Sequence, residues 1–165
     1  PVMYVCNVGE EDAATGNAYS ERVATRATEE GTITVVISAA IEAEIAQLTD
    51  LEERAEFLES IGLETTGLSQ ILAAGYQLLG LITYLTAGPI ESRAWTITEG
   101  MKAPQAAAVI HTDFERGFIC AEIIAFDDYI SCKGEVGAKE SGKMRQEGRE
   151  YIVKDGDIIL FRFNV

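Results

Sequence analysis

The stretch Val2-Met3-Tyr4-Val5-Cys6-Asn7-Val8-Gly9-Glu10 decides the fold of the first part of the chain. Its apolar beginning is typical of a strand that is buried on both faces of a sheet. A second run, residues 32–37, is rich in β-branched side chains and leads directly into Ser38-Ala39-Ala40. Between the two runs we predict a helix from about Ser20, ended by a left-handed cap at Gly31. The pattern predicts an α/β arrangement of two parallel strands, with a short loop after each.

Two longer helices are predicted after the second strand. Asp50 and Glu53 fit a capping box, in which Asp50 accepts from the first backbone amides and Glu53 reaches back; Gly62 ends this helix. The next helix begins near Thr66 and stops at Gly80. Its apolar residues recur at i, i+3, i+4 and i+7, which indicates a face that packs against the domain: Leu68, Ile71, Leu72, Gly75, Leu78 and Leu79.

The second part of the chain has a different pattern. Its predicted elements are, in chain order, a strand over residues 81–86, a turn at Gly88-Pro89, a strand over 93–98, a helix over 103–110, a strand over 118–126, a Gly-rich charged loop over 133–148, and strands over 150–153 and 158–163 around a turn. Two strands, a helix and further strands in this order predict a small α+β roll of the ubiquitin-like β-grasp type.

Charge limits the partners that the chain can bind. The formal net charge is −14, with three basic and 14 acidic side chains in residues 1–82 and ten basic and 13 acidic in residues 83–165. The first part is therefore expected to repel polyanions, and any contact with RNA should use a local basic face of the second part. We expect no binding to DNA.

Several familiar sites are missing from the sequence. Three cysteines without metal-ligand spacing and a single histidine offer little for a metal site or an acid–base pair, so we predict neither a metal site nor a catalytic residue. No stretch approaches the ~18 apolar residues that cross a membrane. No Gly-x-x-x-x-Gly-Lys-Ser/Thr phosphate loop occurs, and the first residue is Pro1 rather than Met. We interpret the chain as a fragment of a longer protein.

Several long segments resemble one family. They are Tyr4-Val5-Cys6-Asn7-Val8, Ser38-Ala39-Ala40-Ile41-Glu42, Ala94-Trp95-Thr96-Ile97, Ile110-His111-Thr112-Asp113-Phe114-Glu115 and Phe161-Arg162-Phe163-Asn164-Val165. In this order they resemble the C-terminal half of the YchF family, the Obg-like ATPases, over essentially the whole chain. The resemblance implies that residues 1–80 are the end of a Rossmann-like P-loop G domain with its closing helices. It implies that residues 82–165 are a TGS domain.

The resemblance also implies roles for the two strand-end loops. The GTPase motif Asn-Lys-x-Asp is replaced here by Asn7, Val8, Gly9 and Glu10. The Glu10 carboxylate stands one methylene further out than the Asp that grips guanine, and an unpaired group in a base pocket costs about 1–3 kcal/mol. The family prefers ATP over GTP. By resemblance, Asn7 braces the two loops, Val8 contacts the adenine, and Glu10 accepts from its N6 amino group.

Ser38-Ala39-Ala40 resembles the Ser-Ala-Lys loop of GTPases, which presents backbone N–H groups to the base edge. Ala40 stands in the place of the Lys, so stacking from that side chain is lost. ATP is the implied ligand, with GTP possible, and Mg²⁺ is implied in the intact protein, with its ligands outside this chain. The fragment alone is expected to hydrolyse nothing.

In the second part, a basic cluster and a polar turn are the candidate functional features. Lys133, Lys139, Lys143, Arg145 and Arg149 form either a solvated loop or a contact with ribosomal RNA. His111-Thr112-Asp113 is predicted to be a structural turn, with its imidazole bonded to a carbonyl. The chain ends in Asn164-Val165, without the Gly-Gly terminus that a ubiquitin-like carrier needs.

The main interpretation is the C-terminal part of a cytoplasmic, ribosome-associated ATPase of the YchF type, with the large ribosomal subunit as its partner. The alternative is a non-enzymatic TGS module that binds RNA or protein. A GTPase fragment is a third possibility and differs only in the base that it selects. A phosphate loop upstream would favour the two enzymes over the binding module, and nucleotide competition would distinguish ATP from GTP.

Overall fold

A computed structural model describes residues 1–88 and 91–164. The chain divides into two compact units, Pro1–Leu79 and Gly80–Val165. Over the described residues, the first unit contains a two-stranded sheet and the second a five-stranded sheet. Pro89 lies outside the described residues, and with it half of the predicted Gly88-Pro89 turn.

The first unit is built around the strand–helix–strand motif predicted from the opening stretch. The two strands run parallel, from Met3 opposite Ile33 to Asn7 opposite Ile37. Parallel strands need a crossover connection, and a helix of 13 residues supplies it. The elements are β1 (Met3–Asn7), α1 (Ala18–Glu30), β2 (Ile33–Ile37), α2 (Ala39–Ile45), α3 (Leu51–Ser60) and α4 (Gly67–Leu79), with one turn of 3-10 helix at Glu10–Asp12.

A side-chain cap at the start and a glycine at the end define the crossover helix α1. The Asn17 side chain accepts hydrogen bonds from the N–H groups of Tyr19 and Ser20. The Ser20 hydroxyl accepts in turn from the N–H of Asn17, which completes a capping box. At the other end, Gly31 has the left-handed conformation, with φ of 65°. The predicted glycine cap is confirmed.

Helix α3 begins at Asp50, as predicted, but only half of the expected capping box forms. The Asp50 carboxylate accepts from the N–H groups of Glu52 and Glu53. No bond from the Glu53 side chain back to Asp50 is found within the described part of the chain. The helix buries Leu58 in a small core that also contains Ala13, Ile41 and Ile45.

Helix α4 buries a narrower face than its sequence predicts. Ala74 is buried and Ile71 and Leu78 are half-buried. By contrast, Leu68, Leu72 and Leu79 are 59%, 56% and 55% exposed. The predicted packing is therefore wrong for these three leucines. The apolar positions span a wide arc of the helix, whereas two strands offer a narrow surface for it to cover.

The elements of the second unit are β3 (Leu81–Ala87), β4 (Ser92–Thr98), α5 (Ala103–Ile110), α6 (Thr112–Arg116), β5 (Phe118–Ala125), α7 (Phe126–Ser131), α8 (Glu135–Glu140), β6 (Arg145–Glu147) and β7 (Asp157–Phe163). The strands form a mixed sheet in the order β4-β3-β7-β5-β6. The last strand, β7, runs parallel to β3 and antiparallel to β5.

The core of this unit lies between the sheet and α5. Tyr84 is fully buried on β3, and its hydroxyl donates to the backbone carbonyl of Ala106 in α5 at 2.9 Å. Its ring meets that of Phe161 edge-on, with the centroids 5.8 Å apart. Burial raises the pKa of the Tyr84 hydroxyl well above its usual value. The predicted strands and helix around this core, over residues 81–110, are confirmed.

Three predictions for the second unit are wrong. Phe126 begins a helix rather than ending a strand, and the predicted loop over residues 133–148 contains α8 and β6. Residues 150–153 form no strand; they contribute a single bridge between Lys102 and Ile152. These segments are short, and their pairing depends on distant residues, so local pattern does not identify them.

Candidate functional site

The two strand-end loops of the first unit lie side by side. The N–H of Val8 donates to the Ile37 carbonyl at 2.9 Å, which continues the ladder one residue beyond the paired strands. The side-chain oxygen of Asn7 accepts from the N–H of Ala39, also at 2.9 Å. The bracing contact expected of Asn7 is therefore present, and it ties the loop after β1 to the first turn of α2.

The contact between Asn7 and Ala39 limits which backbone amides of the second loop, Ser38-Ala39-Ala40, can donate to a ligand. Ala39 was expected to offer its N–H to a base, but this N–H already donates to Asn7. The N–H of Ala40, in the first turn of α2, has no intrahelical acceptor because the helix begins only at Ala39. Both alanines are exposed. The donor available to a ligand at this loop is therefore the amide of Ala40.

Ser38 has a buried hydroxyl without a partner. The residue is only 4% exposed, and its Oγ makes no hydrogen bond to any described residue. It occupies the N-cap position of α2, but its side chain does not cap the helix. A buried hydroxyl that is left unpaired costs about 1–3 kcal/mol. Because the oxygen has almost no accessible surface, this hydroxyl does not face a ligand at the loop.

Glu10 lies in the single 3-10 turn that follows the first loop. Its side chain is exposed and makes no ion pair within residues 1–88 and 91–164. The neighbouring Asp12 is engaged, because its carboxylate accepts from the Asn17 side-chain amide at 2.8 Å. Glu10 and its exposed neighbour Glu11 are thus the carboxylates of this turn for which the described residues show no partner.

Glu42 is a positioning residue that sequence reasoning missed. Its carboxylate accepts from the N–H groups of Gly67 and Leu68, at 2.6 and 3.2 Å, and so caps α4 from α2. A carboxylate is also favoured at a helix N-terminus by the helix dipole. Glu42 thereby joins α4 to the helix that carries the second loop. A Glu four residues after Ser38 is too weak a signal to predict this contact.

The predicted basic cluster does not form one free surface. Lys143 pairs with Asp128 at 3.2 Å, the guanidinium of Arg149 donates to the Phe118 carbonyl at 3.0 Å, and Arg145 reaches the Tyr151 hydroxyl at 3.5 Å. Lys133 and Lys139 flank or belong to α8, and neither forms an ion pair with a described residue. All five residues are exposed; three of them also bond to other residues of the unit, and the two lysines Lys133 and Lys139 form no ion pair with a described residue.

His111 joins two helices. The residue ends α5 and precedes α6, and its Nδ1 accepts from the N–H of Asp113 at 3.3 Å. The expected bond to a carbonyl is thus wrong: the imidazole acts as a helix cap. Within the described ranges, no group of three or more His, Cys, Asp and Glu side chains could hold a metal ion. No described helix is long and apolar enough to span a bilayer.

A buried carboxylate network in the second unit was also missed. Asp157 is 3% exposed and accepts from the Tyr151 hydroxyl at 2.8 Å and from the N–H of Lys154 at 2.9 Å. Burial and this bond to Asp157 raise the pKa of Tyr151 to about 12. The sequence predicts only a turn between residues 153 and 158. No local signal links it to Tyr151 six residues earlier.

Comparisons with known proteins agree with the geometry. The family model YchF-GTPase_C, described as "Protein of unknown function (DUF933)", matches residues 81–164. The "Ribosome-binding ATPase YchF" of Haemophilus ducreyi is 58% identical over 165 residues, which are 100% of this chain and 45% of that protein. The rat "Obg-like ATPase 1" is 42% identical over 167 residues, covering 99% of this chain and 42% of that protein.

A solved structure, that of the Schizosaccharomyces pombe YchF GTPase, matches with a TM-score of 0.85 and 36% identity over 98% of this chain and 43% of that one. The fold thus defines an α/β protein of the class of YchF GTPase structures. The chain belongs to the YchF family and corresponds to its C-terminal region. It spans just under half the length of the relatives that it matches.

Proposed function

We propose that the first unit reads the base of an adenine nucleotide, as the end of a P-loop G domain in an intact ATPase. The observation that carries the proposal is the contact between Asn7 and Ala39, which holds the two strand-end loops together. Two exposed residues beside it carry groups able to bond to a purine: the Glu10 carboxylate and the Ala40 amide.

The chemistry of these groups favours adenine. The exposed Glu10 carboxylate only accepts hydrogen bonds, and it accepts from the N6 amino group of adenine. Guanine requires a carboxylate whose two oxygens accept from N1–H and N2–H₂. The longer Glu side chain shifts these two oxygens away from the position that guanine needs. Val8 lies half-buried beside the pair and offers an apolar surface to the base. GTP is the second candidate ligand.

The rest of the nucleotide site belongs outside this chain. The phosphates and Mg²⁺ are held in the intact protein by residues that are not among these 165. We therefore expect the isolated chain to hydrolyse no ATP. Steady ATP hydrolysis by the purified chain would contradict the proposal that the phosphate and Mg²⁺ ligands lie outside it.

Nucleotide competition in the intact protein tests the proposal. ATP should displace a labelled adenine nucleotide at least tenfold better than GTP. Asn7→Ala should weaken ATP binding about three- to tenfold, the effect of losing one or two hydrogen bonds. Asn164→Ala, in the second unit, is the matched control and should leave binding unchanged. Equal competition by GTP would reject the adenine assignment, and failure of ATP to bind would reject the nucleotide site itself.

We further propose that the second unit is a TGS domain of the β-grasp type and that the intact protein works on the ribosome in the cytoplasm, through the large subunit. Support comes from the names of the bacterial relatives, which are ribosome-binding ATPases, and from the helix α5 packed on a mixed sheet. The two exposed lysines, Lys133 and Lys139, are the candidates for contact with RNA phosphate.

A non-enzymatic binding module is the second candidate. It is favoured by the fact that the second unit has a sheet and a core of its own. The two functions differ in one measurement: the intact ATPase binds nucleotide, whereas a pure binding module associates with ribosomes without it.

A further inference from the structure

A groove of about 540 Å³ in the first unit follows the outer edge of β2. The loop of residues 13–16 forms one wall, and α4 forms the other. The groove is distinct from the strand-end loops, because it runs along the side of β2 rather than beyond its end. The residues that matter below are Thr34, Val36, Gln70 and Gln77.

The backbone of β2 offers unpaired groups to this groove. The Ile37 carbonyl accepts from Val8, so the backbone groups of Ile37 face β1. Backbone groups of successive strand residues point to opposite edges, so those of Thr34 and Val36 point outward. Among the described residues, β2 pairs with β1 and with no other strand. Two N–H and two C=O groups therefore line the groove in the spacing that accepts another strand.

Side chains of α4 add hydrogen-bonding capacity to the groove. Gln70 and Gln77 reach the groove from α4, and over the described chain no side-chain hydrogen bond is found for either amide. Seven residues of helix separate them by about 10 Å. That distance is about three residues of an extended chain.

The groove carries no charge. None of the residues that line it is Asp, Glu, Lys, Arg or His, although the whole chain has a net charge of −14. A phosphate or a metal ion would find neither a counter-charge nor a set of carboxylate ligands here. The complementary ligand is neutral and has alternating donors and acceptors, which are the properties of a peptide backbone.

We propose that an extended peptide segment, uncharged where it makes contact, adds to β2 as a third strand. It bonds to the outward backbone groups of Thr34 and Val36 and to the side chains of Gln70 and Gln77. The two walls favour this occupant over a second copy of the chain, since a single strand enters a walled groove and the edge of a whole sheet does not. The inference is independent of the nucleotide site and goes beyond it.

An immobilised array of acetylated and amidated octapeptides, built from Thr, Val, Ser, Asn and Gln, tests the proposal with the 165-residue chain. The tightest binder is then used free in solution, with amide hydrogen exchange as the readout. Exchange at the outward Thr34 and Val36 amides should slow at least tenfold. The Val35 and Ile37 amides, which already bond to β1, should change little.

Variants test the side chains. Gln70→Ala with Gln77→Ala should weaken peptide binding at least tenfold, because both side-chain amides lose their bonds to the peptide. Gln47→Ala removes an exposed glutamine outside the groove and should have no effect. The proposal is overturned if no octapeptide binds, if Thr34 and Val36 stay unprotected, or if the chain alone dimerises through β2.

Discussion

Among single residues, the hydrogen bonds of a few polar side chains distinguish the two units. Asn7 uses its side chain to join two loops, and this leaves Ala40 rather than Ala39 with a free amide. Ser38 keeps a buried hydroxyl without a described partner. In the second unit, the buried Asp157 is satisfied by Tyr151 and Lys154. The first set leaves one hydroxyl without a described partner, whereas the second is closed on itself and serves stability.

The hydrogen bonds of Asp157 with Tyr151 and Lys154 predict that the stability of the protein depends on pH. Tyr151 has a pKa of about 12 in the folded protein against an ordinary value of 10.0. Because the folded protein holds the Tyr151 proton more tightly than the unfolded chain does, the proton stabilises the fold fully at any pH below the pKa of Tyr151 in the unfolded chain. That contribution is lost as pH rises through the folded pKa, here between about 10 and 12. Tyr151→Phe should cost about 1–3 kcal/mol of unfolding free energy at pH 7, because Asp157 loses a donor.

Urea unfolding, followed by the fluorescence of Trp95, measures this effect. The difference in unfolding free energy between wild type and Tyr151→Phe should stay constant below pH 10 and shrink between pH 10 and 12. Tyr19→Phe is the control, since Tyr19 is 76% exposed. A difference that does not change up to pH 12 would mean that the Tyr151 hydroxyl is not held by Asp157 in solution.

At the scale of elements, helix α4 is positioned by its first residue. A Cβ at Gly67 would approach Cγ2 of Ile37, at the end of β2, to 2.7 Å and its Cβ to 2.9 Å. The Glu42 cap holds the same residue by its N–H. The absence of a side chain at this position thus lets α4 approach the strand that leads into the second loop. The exposed leucines on the other side of α4 take no part in this contact.

Two glycines in one helix provide a matched test. Gly67→Ala should destabilise the first unit by about 1–3 kcal/mol, because the Ile37 Cβ is fixed to the backbone and cannot move aside. Gly75→Ala should stabilise it by about 0.5–1 kcal/mol, since nothing lies within 4 Å of the added methyl group and Ala favours the helix. Urea unfolding followed by circular dichroism at 222 nm compares the two variants. Equal effects would contradict the close approach at Gly67.

At the scale of the whole molecule, charge is divided between the two units. The acidic excess lies mainly in residues 1–82, where 14 acidic side chains face three basic ones. In the second unit, Lys143 and Arg162 are paired with Asp128 and Glu122. Such exposed pairs contribute little to stability, about 0–1 kcal/mol, but they reduce the charge available to a polyanion. A contact with RNA therefore depends on few cations.

Charge reversal tests that contact in the intact protein. Lys133→Glu with Lys139→Glu should reduce co-sedimentation with ribosomes at least threefold at 0.1 M salt and flatten its dependence on salt, because two phosphate contacts are lost. Arg116→Glu with Lys154→Glu produces the same change in net charge at other exposed sites and serves as the control. Equal losses from both pairs would indicate a general charge effect, and no loss from either would exclude these lysines from the interface.

The sequence by itself determined those features that depend on neighbours along the chain. The strand β1, the helix α1 with its cap at Gly31, and the start of α3 at Asp50 all follow from side chains within a few residues. So does the pairing of β1 with β2, because a short helical crossover between two apolar strands makes them parallel. This was enough to expect Asn7 and Ser38 at one end of the sheet. The prediction that β1 is buried on both faces is wrong for the described chain, where none of its residues is buried and Val5 is 43% exposed.

Contacts between residues that are far apart in the sequence became known only from the structure. It placed β7 between β3 and β5, where Leu85 pairs with Ile158 and Ala121 with Phe161. It made residues 135–140 a helix, buried Asp157 beneath Tyr151, and left one face of α4 exposed. The physical reason is that strand pairing and burial are set by packing between distant segments, whereas hydrophobic period and caps report only on the local chain.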